Sequence, residues 1–321
     1  MRGGKRYMRF GLEQMNDIIS KVAAGSLPYP DSVIVGDNSS GKSLILKKFI
    51  QSQKEQKAIY FIDAVNRGFD VTKLSKSKSP LYHPAILETR LDERHFNVAD
   101  SFSYFGTSTE CIEMIYLNYE NKVQELFYEL TGDQFEVLYG EKTGEVSYKN
   151  GRGLLSSGYQ ALVRILLELL FYQETVIEKE KKENAWIVID ELDEFLSPRY
   201  AARILEFLKQ KFPWAIWLVA THSCDLVANT SHANLIVLDK SGCEVLDIDD
   251  YASVSEVEIV FERLFGTRNE TVNENDRMLR ILLNNRMNDM WGEYEKHQLE
   301  ILKSSKLSAS QKMILKQIQD W

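Results

Sequence analysis

The chain has 321 residues, is 44% hydrophobic and carries a formal net charge of −8. That suffices for one large domain or two and excludes a broadly basic nucleic-acid surface, although Arg2, Lys5, Arg6 and Arg9, with Lys303, Lys306, Lys312 and Lys316, leave room for a local contact. Cys111, Cys224 and Cys243 share no metal-ligand spacing, and no apolar run reaches the roughly 18 residues of a membrane span; a cytoplasmic protein with free thiols, no leader and no membrane contact is expected.

Residues 11 to 23 place Leu12, Met15, Ile18, Ile19 and Val22 at helical spacing, so residues 1–30 read as an N-terminal helical segment. The short apolar run Ser32-Val33-Ile34-Val35 then leads into Gly36-Asp37-Asn38-Ser39-Ser40-Gly41-Lys42-Ser43, a complete G-x-x-x-x-G-K-[ST] phosphate loop, and Leu44 to Ile50 continues as a helix. Strand, glycine loop and helix in that order bind a nucleoside triphosphate. Gly36 and Gly41 allow the backbone N–H groups to turn around the phosphates, Lys42 meets the β and γ oxygens, and Ser43 ligates Mg²⁺.

From Asp63 to Gly153 an insertion interrupts the nucleotide core. Lysines and serines alternate in its loop-like start, from Lys73 to Ser79. A helix is expected from about Ser108 to Leu130 with Gly132 as its cap, followed by a hairpin of Phe135–Tyr139 and Glu145–Tyr148 around a turn at Lys142-Thr143-Gly144. The insertion is too short and lacks the heptads for a coiled-coil rod. Next, Ser156-Ser157-Gly158 opens a mainly apolar stretch from Ala161 to Tyr172. Glu178 to Glu183 mixes signs and reads as a surface helix end.

Ala185 to Ile189 is a continuous β-branched run ending in Asp190-Glu191, the pattern of a buried parallel strand that delivers two acids to its carboxyl end. Asp190 suits the Mg²⁺ shell, and Glu191 is placed to accept a proton from attacking water. Ala215 to Ala220 repeats the pattern and delivers Thr221-His222-Ser223, so that His222 faces the γ-phosphate. His83, His95, His232 and His297 lack such a setting. Leu235–Leu238 and Cys243–Leu246 form a further hairpin. Ser255 with Glu258 suggests a capping box ended by Gly266. Leu279, Leu282, Leu283, Met287, Met290 and Trp291 make one apolar stripe, and a last helix follows Ser308.

The order glycine loop, Ser-Ser-Gly, Asp-Glu, His resembles the ABC-type P-loop ATPases of the SMC, RecF and OLD group, over roughly residues 31–65 and 150–240. The resemblance implies an α/β P-loop fold, a mainly parallel sheet flanked by helices, with ATP and Mg²⁺ as cofactors. It also implies that Ser156, Ser157 and Gly158 act on the γ-phosphate held by a second copy in an ATP-sandwiched homodimer, with Asp193 near the family's D-loop. A separately encoded effector and a role in DNA transactions or anti-phage defence follow by analogy. The antiparallel β-lobe and the coupling glutamine usual in that family are missing. Asn66 and Asn97 are the available substitutes for the glutamine, and Tyr7, Phe10 and Tyr29 are the aromatic candidates for the adenine.

The organisation expected is an ATPase core of residues 31–65 and 150–250, an inserted α+β lobe of residues 66–149, and a C-terminal helical region of residues 251–321. Asp247, Asp249 and Asp250 raise a nuclease reading, which the short remaining chain opposes. The competing classes are an ATP-dependent scaffold with negligible turnover, the motor subunit of a transporter, and a small-molecule kinase. The intact Glu191 argues against the first, the missing glutamine against the second, and the unexplained Ser-Ser-Gly against the third.

Overall fold

A computed structural model describes residues 4–53, 55, 58–65, 67–74, 82, 85–92, 111–138, 145–148, 151–239, 242–251, 253–265, 275, 278–279, 282–283, 286, 291–305, 307 and 309–320. The chain divides into two compact units, Met1–Leu264 and Phe265–Trp321.

The first unit is built on a six-stranded sheet in the order β2-β6-β7-β1-β8-β9. Its strands are β1 (Ser32–Gly36), β2 (Ile59–Ile62), β6 (Ala185–Ile189), β7 (Ala215–Thr221), β8 (Asn234–Asp239) and β9 (Gly242–Asp247). All pairings are parallel except β8 with β9. Val33, Ile34 and Val35, like Ile187, Val188 and Ile189, have no exposed surface, which is why these runs show no polar alternation: both faces of the sheet are covered. On one face Ile34, Val188, Leu218 and Ile236 pack against Ile18, Ile19 and Val22 of helix α1 (Gly4–Ala23) and Ile45, Leu46 and Phe49 of helix α2 (Lys42–Ser52). The N-terminal helix therefore shares the core of the phosphate-loop strand.

Helix α3 (Ala85–Leu91) follows β2, and α4 (Tyr116–Thr131) is preceded by a 3-10 turn at Ile112–Ile115. Gly132 ends α4 in the left-handed conformation at φ 78°, with its N–H donating to Tyr128 O, as the sequence led us to expect. The small sheet beside it has three strands, not two: β3 (Phe135–Val137), β4 (Val146–Tyr148) and β5 (Gly151–Gly153) run antiparallel in that order. A Gly-Arg-Gly strand has neither β-branched residues nor alternation to reveal it. The expected turn at residues 142–144 lies outside the described residues.

Helix α5 (Ser157–Tyr172) is buried from Ala161 to Tyr172 on every side and runs on into a π-helical turn at Gln173–Glu178. Helix α6 (Pro198–Lys211) and the short α7 (Cys224–Ala228) complete the sheet's cover. The cap of helix α8 (Val254–Phe265) lies two residues earlier than the capping box read from the sequence. Ser253 Oγ accepts from Glu256 N (3.3 Å), and Ser253 N donates to Glu256 Oε2 (3.0 Å), so the pair is Ser253/Glu256 and not Ser255/Glu258. Both spacings satisfy the S-x-x-E rule; the first turn of the helix decides between them.

In the second unit, helices Glu293–Ser304 and Ala309–Asp320 contribute Leu302, Leu315 and Ile318 to a cluster with Leu279 and Leu282. Arg286 stacks on Trp291 at 4.4 Å from the ring centroid. Gly266, Met287, Met290 and Ser308 lie outside the described residues. Among those described, no helix is long and apolar enough to cross a membrane.

Candidate nucleotide site

Three segments meet at the carboxyl edge of the parallel sheet. The first is the loop between β1 and α2. Asn38 N donates to Asp37 Oδ1 (2.7 Å), Ser40 N donates to Asp37 O (3.1 Å), and Ser39 and Gly41 take positive φ of 64° and 105°. A Cβ at Gly36 would come within 2.5 Å of Ser40 Oγ and 2.9 Å of Leu238 O, so only glycine lets the loop close on itself. Ser40 Oγ is buried with no hydrogen-bond partner among the described residues. The leading N–H groups of α2 have no carbonyl one turn behind them. An anion fits this concave set of donors.

The second and third segments bring the chemistry. Lys42, 5% exposed, donates from Nζ to Gly36 O (3.1 Å), lies 2.6 Å from His222 Nε2 and is 3.5 Å from Glu191 Oε1. His222 Nε2 in turn stands 3.2 Å from Glu191 Oε1. Lys42 opens α2 just after β1, and His222 and Glu191 follow the ends of β7 and β6; the three strands are neighbours in the sheet, and that is why residues so distant in sequence touch. Burial pushes the Glu191 carboxyl up, but the hydrogen bond with His222 and the Lys42 charge outweigh it and hold it below the usual carboxylate range. Glu191 is thus held in its ionised form beside Lys42.

Asp190 is fully buried, its N–H donating to Ile62 O at 3.0 Å. Glu191 takes φ 52°, unusual for a residue with a side chain, and begins a turn in which Glu194 N donates to Glu191 O (3.1 Å) and Leu192 N donates to Ala220 O (3.1 Å). Asp193 accepts a hydrogen bond from the Thr221 hydroxyl, which itself accepts from Ser223 N (2.9 Å). Burial pushes Asp193 above the usual range despite that bond.

Ser156 caps α5, its Oγ accepting from Tyr159 N (3.3 Å). Ser156 and Ser157 are exposed, and among the described residues no hydrogen bond or ion pair joins them to Lys42 or Glu191. Gly158 faces the turn after Glu191: a Cβ there would stand 2.8 Å from Phe195 O. The Ser-Ser-Gly segment is therefore presented outward beside the acidic turn of its own chain.

A residue that motif spacing did not single out also belongs here. Arg67, 1% exposed, donates from Nη2 to the carbonyls of Asp190 (2.9 Å) and Glu191 (3.4 Å). Burial pushes its guanidinium down to about 10, against the pull of Asp63, so it remains charged at neutral pH. Of the other residues considered, Tyr29 precedes β1 at the opposite end of the sheet, its hydroxyl donating to Asp247 Oδ2 (3.1 Å) and Asp249 Oδ2 (3.3 Å). It is remote from the phosphate loop, and two of the three aspartates that raised a nuclease reading are engaged there. His232 is exposed and bonded to Asp249. The side chains of Tyr7 and Phe10, with Asn66, His83, His95 and Asn97, lie outside the described residues.

A phosphate loop between the first strand and its helix, a histidine strand inserted between that strand and the acidic one, and Ser-Ser-Gly opening a buried helix now stand together. The fold is that of a P-loop NTPase, and its motif order resembles the ABC-type ATPases. No family model matches the chain. Over 140 residues it is 26% identical to the Septu protein PtuA of Bacillus thuringiensis, a stretch covering 42% of this chain and 33% of that protein; the chain thus spans about a third of the length of this curated relative. Among solved structures it overlaps the SMC head domain from Thermotoga maritima at 14% identity and a TM-score of 0.35, covering 67% of this chain and 89% of that one. It overlaps cbiO1 from Clostridium perfringens, part of an ABC transporter complex, at 15% identity and a TM-score of 0.36, covering 73% and 84%.

Proposed function

We propose that the chain binds ATP with Mg²⁺ and hydrolyses it to ADP and phosphate, two copies closing head to tail around two nucleotides. The observation that carries this reading is the convergence of Lys42, His222 and Glu191 within 3.5 Å at the mouth of a phosphate loop. In the proposed mechanism the backbone from Gly36 to Ser43 cradles the β- and γ-phosphates and Lys42 offsets their charge. Ser43 and Asp190 would hold Mg²⁺; a hydroxyl and a buried carboxylate are the hard oxygen donors it takes, and when bound it neutralises charge on the phosphate oxygens. Glu191 orients a water and takes its proton, and His222 donates a hydrogen bond toward the γ-phosphate. The partner copy's Ser-Ser-Gly, at the N-terminus of its long α5, completes the anion site.

Closure by ATP and release after hydrolysis make the output conformational, so a separately encoded effector is the proposed recipient. Family resemblance points to DNA transactions or anti-phage defence, and the partial likeness to the Septu protein PtuA supports the defence branch. The test is light scattering of Glu191→Gln with ATP and Mg²⁺, beside phosphate release by the wild type. ATP-dependent doubling of mass that Ser157→Arg abolishes, with wild-type turnover lost in Glu191→Gln, is the expected result. A wild type that binds ATP but releases no phosphate would replace this reading with the ATP-dependent scaffold.

A further inference from the structure

We infer that Arg67 is a positioning residue for hydrolysis: its guanidinium fixes the backbone of the Asp190–Glu191 turn, and the residues after it strap that turn to helix α5 of the same chain. This inference rests on the proposed ATPase reading and adds a residue and a connection to it. Arg67 follows β2, the strand paired with β6 in parallel register through Ile62↔Ile189. It thus arrives beside the acidic turn from the adjoining strand end.

Its Nη2 bonds two successive carbonyls, at 2.9 and 3.4 Å, while Nε and Nη1 are buried with no hydrogen-bond partner among the described residues. A guanidinium buried with donors unused is costly, and exchange for an apolar side chain would remove that cost along with the two carbonyl bonds. What the bonds secure is a peptide orientation. Successive residues of an extended strand point to opposite faces; Glu191 instead turns at φ 52°, and with that turn its carboxylate reaches Lys42 and His222. The left-handed geometry is unfavourable for a residue with a side chain, so it persists only where its neighbours hold it.

The strap continues past Arg67. Gly68 O accepts from Arg164 Nη1 (3.3 Å), and Phe69 N donates to Gln160 Oε1 (3.2 Å). Gln160 Nε2 donates to Leu155 O (2.8 Å), ahead of the Ser-Ser-Gly. Gln160 and Arg164 lie one turn apart on α5. Three consecutive residues, 67 to 69, therefore link the acids that would act on one nucleotide to the helix whose N-terminus would act on the other. The two ends are thus joined by hydrogen bonds, not by side-chain packing alone.

The experiment compares wild type, Arg67→Met and Arg67→Lys in ATP turnover, in binding of a fluorescent ATP analogue, and in crystal structures. Positioning predicts that Arg67→Met binds nucleotide within about twofold of wild type and turns over about 10- to 100-fold more slowly with KM unchanged. Arg67→Lys, which reaches one carbonyl, should recover part of the loss. In the crystal structure of Arg67→Met, Glu191 should leave its positive φ or its contact with Lys42. Unchanged turnover, or a Glu191 that keeps φ near 50° and both its partners, overturns the inference. Turnover and nucleotide binding falling together would also overturn it, marking Arg67 as a general support of the fold. A wild type without turnover defeats the ATPase reading, and the crystal comparison alone then decides whether Arg67 sets the turn. Should Arg67→Met not fold, Arg67→Lys carries the same comparisons.

Discussion

Lys42 is the most constrained charge at the site, held by Gly36 O, His222 Nε2 and Glu191 Oε1. Its place was legible in the sequence because the phosphate loop is local: eight consecutive residues form the loop that carries it. Arg67 was not legible, because the carbonyls it serves lie 123 and 124 residues away and no spacing rule joins a guanidinium to a backbone oxygen. Asp193 makes a prediction at this scale. Its carboxyl lies above the usual range because burial disfavours its charge, so between the unfolded value, about 3.9, and its folded pKa the native state binds the extra proton. Stability is therefore lost as pH rises through that window, and the loss is complete above the folded pKa. Asp193→Asn, which still accepts from Thr221, should remove this slope and melt no lower than wild type at pH 7; thermal melts of both proteins from pH 3 to 8 test it.

Helix α5 packs against α4 and is bonded to the residues that follow β2. It was legible as a helix from its apolar run and its Ser-Ser-Gly start, but the run itself gives no reason for the acid at Glu168. The structure explains the acid: Glu168 is fully buried, bonded to Arg90 Nη1 (2.8 Å), Arg164 Nε (2.9 Å) and the Tyr60 hydroxyl (2.9 Å). Burial pushes its carboxyl up, and the two guanidinium groups outweigh that and hold it below the usual range. Glu168→Leu would leave both arginines buried without their carboxylate and should cost about 3–5 kcal/mol in a urea titration; a loss below about 1 kcal/mol would contradict the ion-pair account. At the other end of α5, Gly158→Ala forces a Cβ to 2.8 Å from the backbone oxygen of Phe195. Because that neighbour is main chain, we expect about 1–3 kcal/mol of destabilisation, read by the same titration, even where nucleotide plays no part.

Across the whole molecule, the sequence located the parallel core because its strands are buried on both faces, and it located the three strand ends that bear Lys42, Glu191 and His222. It could not give the strand order that brings them into contact, nor the packing of α1 against the sheet, since both depend on tertiary contacts. The turn at Glu191 bears on the stability of the entire first unit. A residue held at φ 52° is a standing local cost, and a glycine in its place is relieved of it. We predict that Glu191→Gly melts higher than Glu191→Ala, since alanine loses the carboxylate but keeps the strained backbone; the gap should be about 1 kcal/mol, or about 2–4 °C, and equal melting temperatures would show the turn to be unstrained. Since glycine and alanine both lack the carboxylate, the difference between them isolates the cost of one backbone torsion from the chemistry of the side chain that it aims.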